Sequence, residues 1–209
     1  DTNMKIAFAF QKIANEFFNS LKKDFVHLVI RTIENKSLVT VVTRKHIKNA
    51  KVMFEALKNQ LSLSENDFGL FECIKKTDNN VILDGEISHL FGLESIDFDV
   101  HGIKASVSPM SFFQVNLDIM KKIYKQVNQL VLGEIVVDAY SGAGLMSAIL
   151  AKSAKMVYGI EIVKEATVDA NRLAKLNGIK NLVNINGDTS VVLPNLQKEI
   201  GKYALVLDP

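Results

Sequence analysis

The sequence predicts two structural units, a mixed α+β unit in the first half and a doubly wound parallel α/β sheet in the second. In the second half, short apolar segments typical of buried strands alternate with helical segments. In the first half, strand-like segments occur in pairs joined by short turns, which is typical of antiparallel hairpins. We place the boundary near Ser108, which divides the chain into residues 1–107 and 108–209.

The composition is that of an ordinary globular protein, with 48% hydrophobic and 23% charged residues. This balance excludes a disordered chain, because there is enough apolar surface to offset the entropy lost on folding. No uncharged stretch is longer than residues 139–151, which is shorter than the ~20 residues that span a bilayer, so we expect no membrane segment. The single cysteine, Cys73, excludes a disulfide framework and a cysteine-based metal site, and it suits a cytoplasmic protein.

The first half combines helices with strand pairs. Apolar residues recur at three- and four-residue steps between Phe10 and Leu21, which predicts an amphipathic helix. Alternating residues on both sides of His101-Gly102 predict a hairpin with a two-residue turn. The other predicted elements are a hairpin of residues 27–31 and 38–43, a helix at 47–61, and a strand pair at 68–74 and 81–83.

The second half alternates helices and strands. Gly178 suits the left-handed position that ends the predicted helix at residues 163–177. The other predicted helices cover residues 116–132, 145–151 and 189–198, and the predicted strands cover 135–139, 156–160, 183–186 and 203–207. In such a sheet, ligands bind at the carboxyl ends of the strands.

Two glycines, Gly142 and Gly144, follow the first strand of the predicted parallel sheet, where the chain turns into a helix. Glycine lets the backbone approach a ligand closely, although the same residues can also serve a tight turn. Asp138 precedes this loop within the strand. Ser147 stands where a dinucleotide-binding fingerprint has its third glycine, which disfavours a nicotinamide-dependent dehydrogenase.

Acidic residues follow the other strands of the predicted sheet. Glu161 comes about 20 residues after Gly142, the spacing at which a carboxylate meets ribose hydroxyls in nucleotide-binding folds. Asp188 can accept a hydrogen bond from an adenine amino group, cap the next helix, or do both. Asp208 ends the fourth strand. We therefore expect these side chains to converge on one edge of the sheet.

The loop and the strand-end carboxylates together resemble the S-adenosylmethionine pocket of class I (Rossmann-like) methyltransferases. The segment from Ser108 to Asn116, which reads S-P-M-S-F-F-Q-V-N, resembles the signature of the RNA uracil-5-methyltransferase family. Members of that family make 5-methyluridine in 23S rRNA and in the T-loop of tRNA. The resemblance continues at residues 157–161, 174–178 and 206–209, and residues 27–31 and 80–92 resemble the family's central domain.

This resemblance implies an enzyme that methylates uracil C5 in RNA with S-adenosylmethionine as the cofactor. It favours 23S rRNA as the substrate, with the tRNA T-loop as the alternative, and a methyltransferase acting on an exocyclic nitrogen of a nucleobase as a less favoured one. Leu145 stands where some members carry a polar cofactor contact. The predicted cofactor-binding residues are Gln114, Tyr140, Gly142, Gly144, Glu161, Asp188 and Asp208.

The chemistry of the family uses a cysteine thiolate that adds to uracil C6 and a carboxylate base that removes the C5 proton. Cys73 matches neither this nucleophile nor an iron–sulfur ligand of the family. We therefore expect the catalytic residues beyond Pro209, and we expect this chain to be a fragment that also lacks the N-terminal barrel common in the family. The histidines lack metal-ligand spacing, so no metal is expected. A net charge of +2 predicts weak RNA affinity, and we expect a monomer.

Overall fold

A computed structural model of the chain describes residues 2–17, 21–110, 116–131 and 133–208. The chain divides into two compact units, Asp1–Ile96 with Ser106–Ser111 and Asp97–Ala105 with Phe112–Pro209. The division that the sequence predicts, 1–107 and 108–209, differs from this one at residues 97–105 and 108–111. Residues 97–105 belong with the second unit, where the side chain of Asn177 exchanges two 2.8 Å hydrogen bonds with the backbone of Lys104.

The first unit is a four-stranded mixed sheet with helices on one face. The helices are α1 (Thr2–Phe17), α2 (Leu21–Asp24) and α3 (Ala50–Leu61), and the strands are β1 (Phe25–Ile33), β2 (Lys36–Thr43), β3 (Phe68–Ile74) and β4 (Glu86–Gly92). Strands β1 and β2 are antiparallel, β2 and β3 are parallel, and β3 and β4 are antiparallel, in the order β1-β2-β3-β4. The parallel pair needs a crossover, which α3 provides.

The core of the first unit lies between its sheet and its helices. The Phe54 ring of α3 stacks on Phe68 of β3 with 5.6 Å between ring centroids. Alternate residues of β2, Val39 and Val41, pack into the same cluster, together with Phe10 of α1. The structure confirms the hairpin of β1 and β2 and places a helix at each predicted position with different ends. The helix predicted from Phe10 begins earlier, at Thr2, residues 18–20 of its range lie outside the described residues, and the helix predicted at 47–61 begins at Ala50.

The strand predicted at residues 81–83 is wrong. The antiparallel partner of β3 is β4, with Ile74 opposite Glu86, and residues 75–85 form a loop between them. The buried ammonium group of Lys75 organises this loop by donating hydrogen bonds to the carbonyl oxygens of Asn79 (2.8 Å) and Val81 (2.5 Å). These carbonyl groups are therefore bound to a lysine rather than to a neighbouring strand.

The second unit contains a four-stranded sheet in which all strands are parallel, in the order β10-β7-β8-β9. The chain runs outward from β7 to β9 and returns to β10 on the other side of β7, so the strand order reverses between β7 and β10. The strands are β7 (Ile135–Ala139), β8 (Met156–Glu161), β9 (Leu182–Asn186) and β10 (Ala204–Leu207), and the helices are α4 (Leu117–Leu130), α5 (Leu145–Leu150), α6 (Lys164–Leu176) and α7 (Thr189–Ile200). The four predicted parallel strands are confirmed.

A hairpin of β5 (Ile96–Val100) and β6 (Ile103–Val107) precedes α4 in the chain. Buried and exposed residues alternate along both strands. The turn has two consecutive residues with positive φ, His101 at 53° and Gly102 at 76°, which matches the right-handed twist of the strands. The Asp99 carboxylate accepts a 2.8 Å hydrogen bond from the Gly102 backbone and closes the turn. The predicted His-Gly turn is confirmed.

The helix ends of the second unit follow from local sequence. Asn116 caps α4, because its side-chain oxygen accepts a 3.0 Å hydrogen bond from the backbone N–H of Ile119. Gly178 follows α6 with a φ of 64°, as its position predicted. Among the described residues, we find no helix with the length and apolar character required to cross a membrane.

Candidate functional site

The loop between β7 and α5, residues 140–144, turns sharply. Three of its residues, Tyr140, Gly142 and Gly144, have φ values of 64°, 54° and 79°. The Ser141 backbone N–H donates a 3.0 Å hydrogen bond to the carbonyl of Ile160 in β8, which ties the loop to the neighbouring strand. The loop therefore lies at the carboxyl edge of the sheet, where ligands of such folds bind.

The carboxylate of Glu161, at the end of β8, bridges this loop and the start of α6. One oxygen accepts a 2.9 Å hydrogen bond from the Gly142 backbone N–H, and the other accepts a 2.7 Å bond from that of Val163. Each carboxylate oxygen keeps capacity for a further hydrogen bond. The structure thus brings Gly142 and Glu161 together, and the contact of Glu161 with ribose hydroxyls stays a prediction.

The two loop glycines have different surroundings. A Cβ atom added to Gly142 would meet none of the described residues within 4 Å, so among them the backbone there is open to a ligand. A Cβ added to Gly144 would lie 2.7 Å from the Cβ of Ala170 in α6. Gly144 is therefore required for the close packing of the loop on α6, and Gly142 for the open backbone beside Glu161.

A cluster of polar oxygens beneath the loop was missed by sequence reasoning. A Cβ atom on Gly159 of β8 would lie 2.9 Å from Asn184 Oδ1 and 3.0 Å from the hydroxyl oxygens of Ser141 and Ser147. The Ser141 hydroxyl and Asn184 Oδ1 are buried and have no hydrogen-bond partner among the described residues. The only local signal is a glycine inside a strand, which marks the close approach of other groups.

Asp138 lies at the base of this cluster and is 2% exposed. Its carboxylate accepts a hydrogen bond from the hydroxyl of Ser147 in the first turn of α5. Burial raises the pKa of Asp138 to about 6, and the hydrogen bond from Ser147 opposes this rise. Asp138 therefore fixes the start of α5 from below the loop rather than facing a ligand.

We expect the substitution Asp138→Asn to stabilise the protein at pH 7.5. The pKa of Asp138 is about 6 in the folded state, above the 3.8 that is ordinary for an aspartate, so protonation favours folding. This stabilisation is complete below about pH 4 and is lost as the pH rises through 6, at a cost on the order of 3 kcal/mol. An amide keeps the acceptor for Ser147 and carries no charge. Chemical unfolding between pH 4 and 8 measures the effect.

The matched control for this prediction is Asp97→Asn, at an exposed position of β5. We expect the wild type and this control to lose free energy of unfolding between pH 4 and 6 to the same extent, and Asp138→Asn to lose less. Parallel pH profiles for all three proteins would contradict the assignment of a buried, destabilising charge to Asp138.

Asp188 caps α7. Its Oδ1 accepts hydrogen bonds from the Ser190 hydroxyl (2.7 Å) and backbone N–H (2.8 Å), and these bonds lower the pKa of the carboxyl group. Nearby, the Asn186 amide donates to the carbonyl oxygens of Glu161 (2.9 Å) and Ile162 (3.0 Å), which joins the ends of β8 and β9. The capping role of Asp188 is established by this geometry, and its contact with adenine stays a prediction.

Three predicted cofactor-binding residues remain, namely Asp208, Tyr140 and Gln114. Asp208 is exposed directly after β10, and its charge contributes to the raised pKa values of Asp138 and Tyr124. The main cause for Tyr124 is burial, which raises its pKa to about 12. Tyr140 is exposed beside the loop glycines. Gln114 lies outside the described residues, so its predicted contact stays a prediction.

An apolar surface follows Glu161 and was not among the predicted site residues. Ile162 is 64% exposed and Val163 is 49% exposed, although both side chains are hydrophobic. They stand at the carboxyl edge of the sheet directly after the bridging carboxylate. The sequence contained a signal for this apolar surface, because two apolar residues directly follow an acidic residue at the end of a predicted strand.

Comparison with known proteins gives related sequences but no matching family model. A protein of Listeria innocua named uncharacterized RNA methyltransferase is 34% identical over 195 residues, which cover 90% of this chain and 42% of that protein. One of the same name from Fusobacterium nucleatum is 31% identical over 198 residues, covering 91% of this chain and 42% of that protein. The chain thus spans less than half the length of these curated relatives.

Solved structures show the same architecture. The tRNA (uracil-54, C5)-methyltransferase of Pyrococcus abyssi, in complex with S-adenosyl-L-homocysteine, matches with a TM-score of 0.75 at 20% identity. The match covers 92% of this chain and 48% of that protein. This chain has the fold of an S-adenosylmethionine-dependent methyltransferase. A methyltransferase from Agrobacterium tumefaciens matches with a TM-score of 0.55 at 14% identity, covering 89% of this chain and 60% of that one.

The described residues do not indicate a cysteine nucleophile or a metal centre within this methyltransferase fold. Cys73 of β3 is fully buried, and burial raises the pKa of its thiol, which is the opposite of what an activated nucleophile needs. The part of the chain that the structure describes contains no group of three or more His, Cys, Asp or Glu side chains arranged to hold a metal ion.

Proposed function

We propose that this chain binds S-adenosylmethionine and supplies the cofactor-binding part of an enzyme that methylates uracil C5 in RNA. The observation that carries the proposal is the bridge from the Glu161 carboxylate to the Gly142 backbone, 2.9 Å away, beside an open stretch of loop. The solved structures of the same fold with bound S-adenosyl-L-homocysteine support the choice of cofactor.

The residues at the carboxyl edge suit the parts of this cofactor. The free lone pairs of Glu161 accept hydrogen bonds from the ribose hydroxyls, and the exposed side chain of Ile162 covers one face of the adenine ring. Asp188 accepts from the adenine amino group. The open backbone at Gly142 and the exposed Tyr140 leave room for the amino acid end. The cofactor supplies an electrophilic methyl group, and these residues hold and orient it.

The RNA substrate is proposed from the sequence relatives. Proteins at 31–34% identity are named RNA methyltransferases, and the segment from Ser108 to Asn116 resembles the uracil-5 family. The neighbour from Pyrococcus abyssi acts on a tRNA uracil, according to its name. We propose 23S rRNA as the substrate, with the tRNA T-loop as the alternative.

The nucleophile of the reaction is proposed to come from outside this chain. Uracil C5 becomes nucleophilic when a thiolate adds to C6, and Cys73 is buried in β3 of the first unit as a neutral thiol. A cysteine and a carboxylate base in a longer protein, beyond Pro209, would complete the reaction that the cofactor site prepares.

Isothermal titration calorimetry tests the cofactor assignment. We expect S-adenosylmethionine and S-adenosyl-L-homocysteine to bind this chain and NAD to bind at least ten times more weakly. The reason is that Ser147 replaces the third glycine of the dinucleotide fingerprint, and its hydroxyl donates a hydrogen bond to the buried carboxylate of Asp138. Tighter binding of NAD than of both methyl-transfer ligands would contradict the proposal.

A further inference from the structure

A groove lined by two lysines lies on the second unit, where the β5–β6 turn meets α4 and the end of α5. It has a volume of about 260 Å³ and is lined by His101, Lys125, Asn128, Ile149 and Lys152. We call it the lysine groove. None of these residues belongs to the cofactor-binding set proposed above, and no carboxylate of the described residues lines the groove.

The β5–β6 turn forms one wall of the lysine groove. The Lys152 ammonium donates a 2.6 Å hydrogen bond to the carbonyl of His101, which leaves two of its N–H bonds available. A Cβ atom on Gly102 would lie 2.8 Å from this ammonium, so the glycine leaves space for Lys152 at the turn. His101 Nε2 lies 2.7 Å from the carbonyl of Lys121, and it donates there because a carbonyl only accepts.

The other wall of the lysine groove comes from α4. Asn128 accepts a 2.9 Å hydrogen bond from the Ser153 hydroxyl through its side-chain oxygen, so its amide NH₂ group remains a donor. Lys125 is exposed and has no hydrogen bond or ion pair within the described part of the chain. The groove therefore presents two ammonium groups and an amide donor beside the apolar side chain of Ile149.

We propose that the lysine groove binds the sugar–phosphate backbone of the RNA substrate, apart from the cofactor site. Ammonium and amide donors without a carboxylate are complementary to a phosphodiester, and the apolar side of the groove suits a ribose ring. A net charge of only +2 gives little general attraction for RNA, so two neighbouring lysines that have no carboxylate partner among the described residues carry much of the binding. The identity of the anion as RNA rests on the proposed function.

The test is RNA binding by variants of Lys125, which has no hydrogen-bond or ion-pair partner among the described residues. A fluorescein-labelled RNA stem-loop with uridines in its loop is titrated by anisotropy between 20 and 200 mM KCl. We expect Lys125→Glu to weaken binding about ten-fold at low salt, and Lys125→Ala to reduce the slope of log K against log[salt] by about 0.7. Lys202→Glu makes the same charge change at an exposed position outside the groove, and we expect less than a two-fold effect.

Three results would overturn the proposal: no RNA binding by the wild type at 20 mM salt, unchanged binding by Lys125→Glu, or equal weakening by Lys125→Glu and Lys202→Glu. If inorganic phosphate displaces the RNA more strongly than KCl of equal ionic strength, the groove takes a free anion rather than RNA. Titration of the same variants with S-adenosyl-L-homocysteine separates the two proposals. If S-adenosyl-L-homocysteine binds but Lys125→Glu does not change RNA binding, only the cofactor site is supported. If Lys125→Glu weakens RNA binding but S-adenosyl-L-homocysteine does not bind, only the lysine groove is supported.

Discussion

Replacing Glu161 with alanine is expected to weaken the binding of S-adenosylmethionine by roughly 10-fold to 100-fold. Two ribose hydroxyls lose a charged acceptor, which corresponds to about 1.5–3 kcal/mol. The loop also loses the acceptor that binds the Gly142 backbone at 2.9 Å. We expect a Tm close to that of the wild type, because Glu161 lies at a partly exposed strand end and not in the core. Calorimetric titration and thermal unfolding together measure both effects.

The matched control is Glu165→Ala, which removes an exposed carboxylate from the first turn of α6. The intermediate variant is Glu161→Gln, which keeps one carbonyl acceptor and removes the charge. We expect the affinity to fall in the order wild type and Glu165→Ala, then Glu161→Gln, then Glu161→Ala. Equal affinity for all four proteins, with unchanged unfolding, would contradict a role of the Glu161 carboxylate in binding the cofactor.

Replacing Gly144 with alanine is expected to destabilise the second unit by about 3 kcal/mol. The residue has a φ of 79°, where a side chain costs about 1–2 kcal/mol, and its Cβ would lie 2.7 Å from Ala170 Cβ. The overlap adds about 1–3 kcal/mol because α6 must move away from the loop. Urea unfolding measures the change in the free energy of unfolding.

Gly178→Ala measures the conformational cost alone, so its comparison with Gly144→Ala isolates the cost of the overlap with Ala170. Gly178 has a similar φ of 64°, but a Cβ there would meet none of the described residues within 4 Å. We expect Gly144→Ala to be the more destabilising of the two, and the added substitution Ala170→Gly to recover part of the difference. If Gly144→Ala and Gly178→Ala cost the same, the packing of the loop on α6 does not require glycine.

The sequence predicted that candidate site residues converge on one edge, because consecutive parallel strands end at the same edge of a sheet. Gly142 and Glu161 follow neighbouring strands, and a direct hydrogen bond joins them in the structure. Their contacts with a cofactor stay predictions. Asp188 was expected to cap a helix, contact a ligand or do both, and its cap follows from its position before Ser190.

The sequence by itself determined the elements whose pattern is local: the apolar strands of the second unit, the amphipathic helices and the His101-Gly102 turn. Only the tertiary structure decided contacts between distant residues. Lys75 holds a loop where a strand was predicted, Ala170 makes Gly144 necessary, and the lysine groove joins a hairpin turn to two helices. The physical reason is that periodicity records which face of an element is buried. It does not record which distant donor, acceptor or side chain is packed against that face.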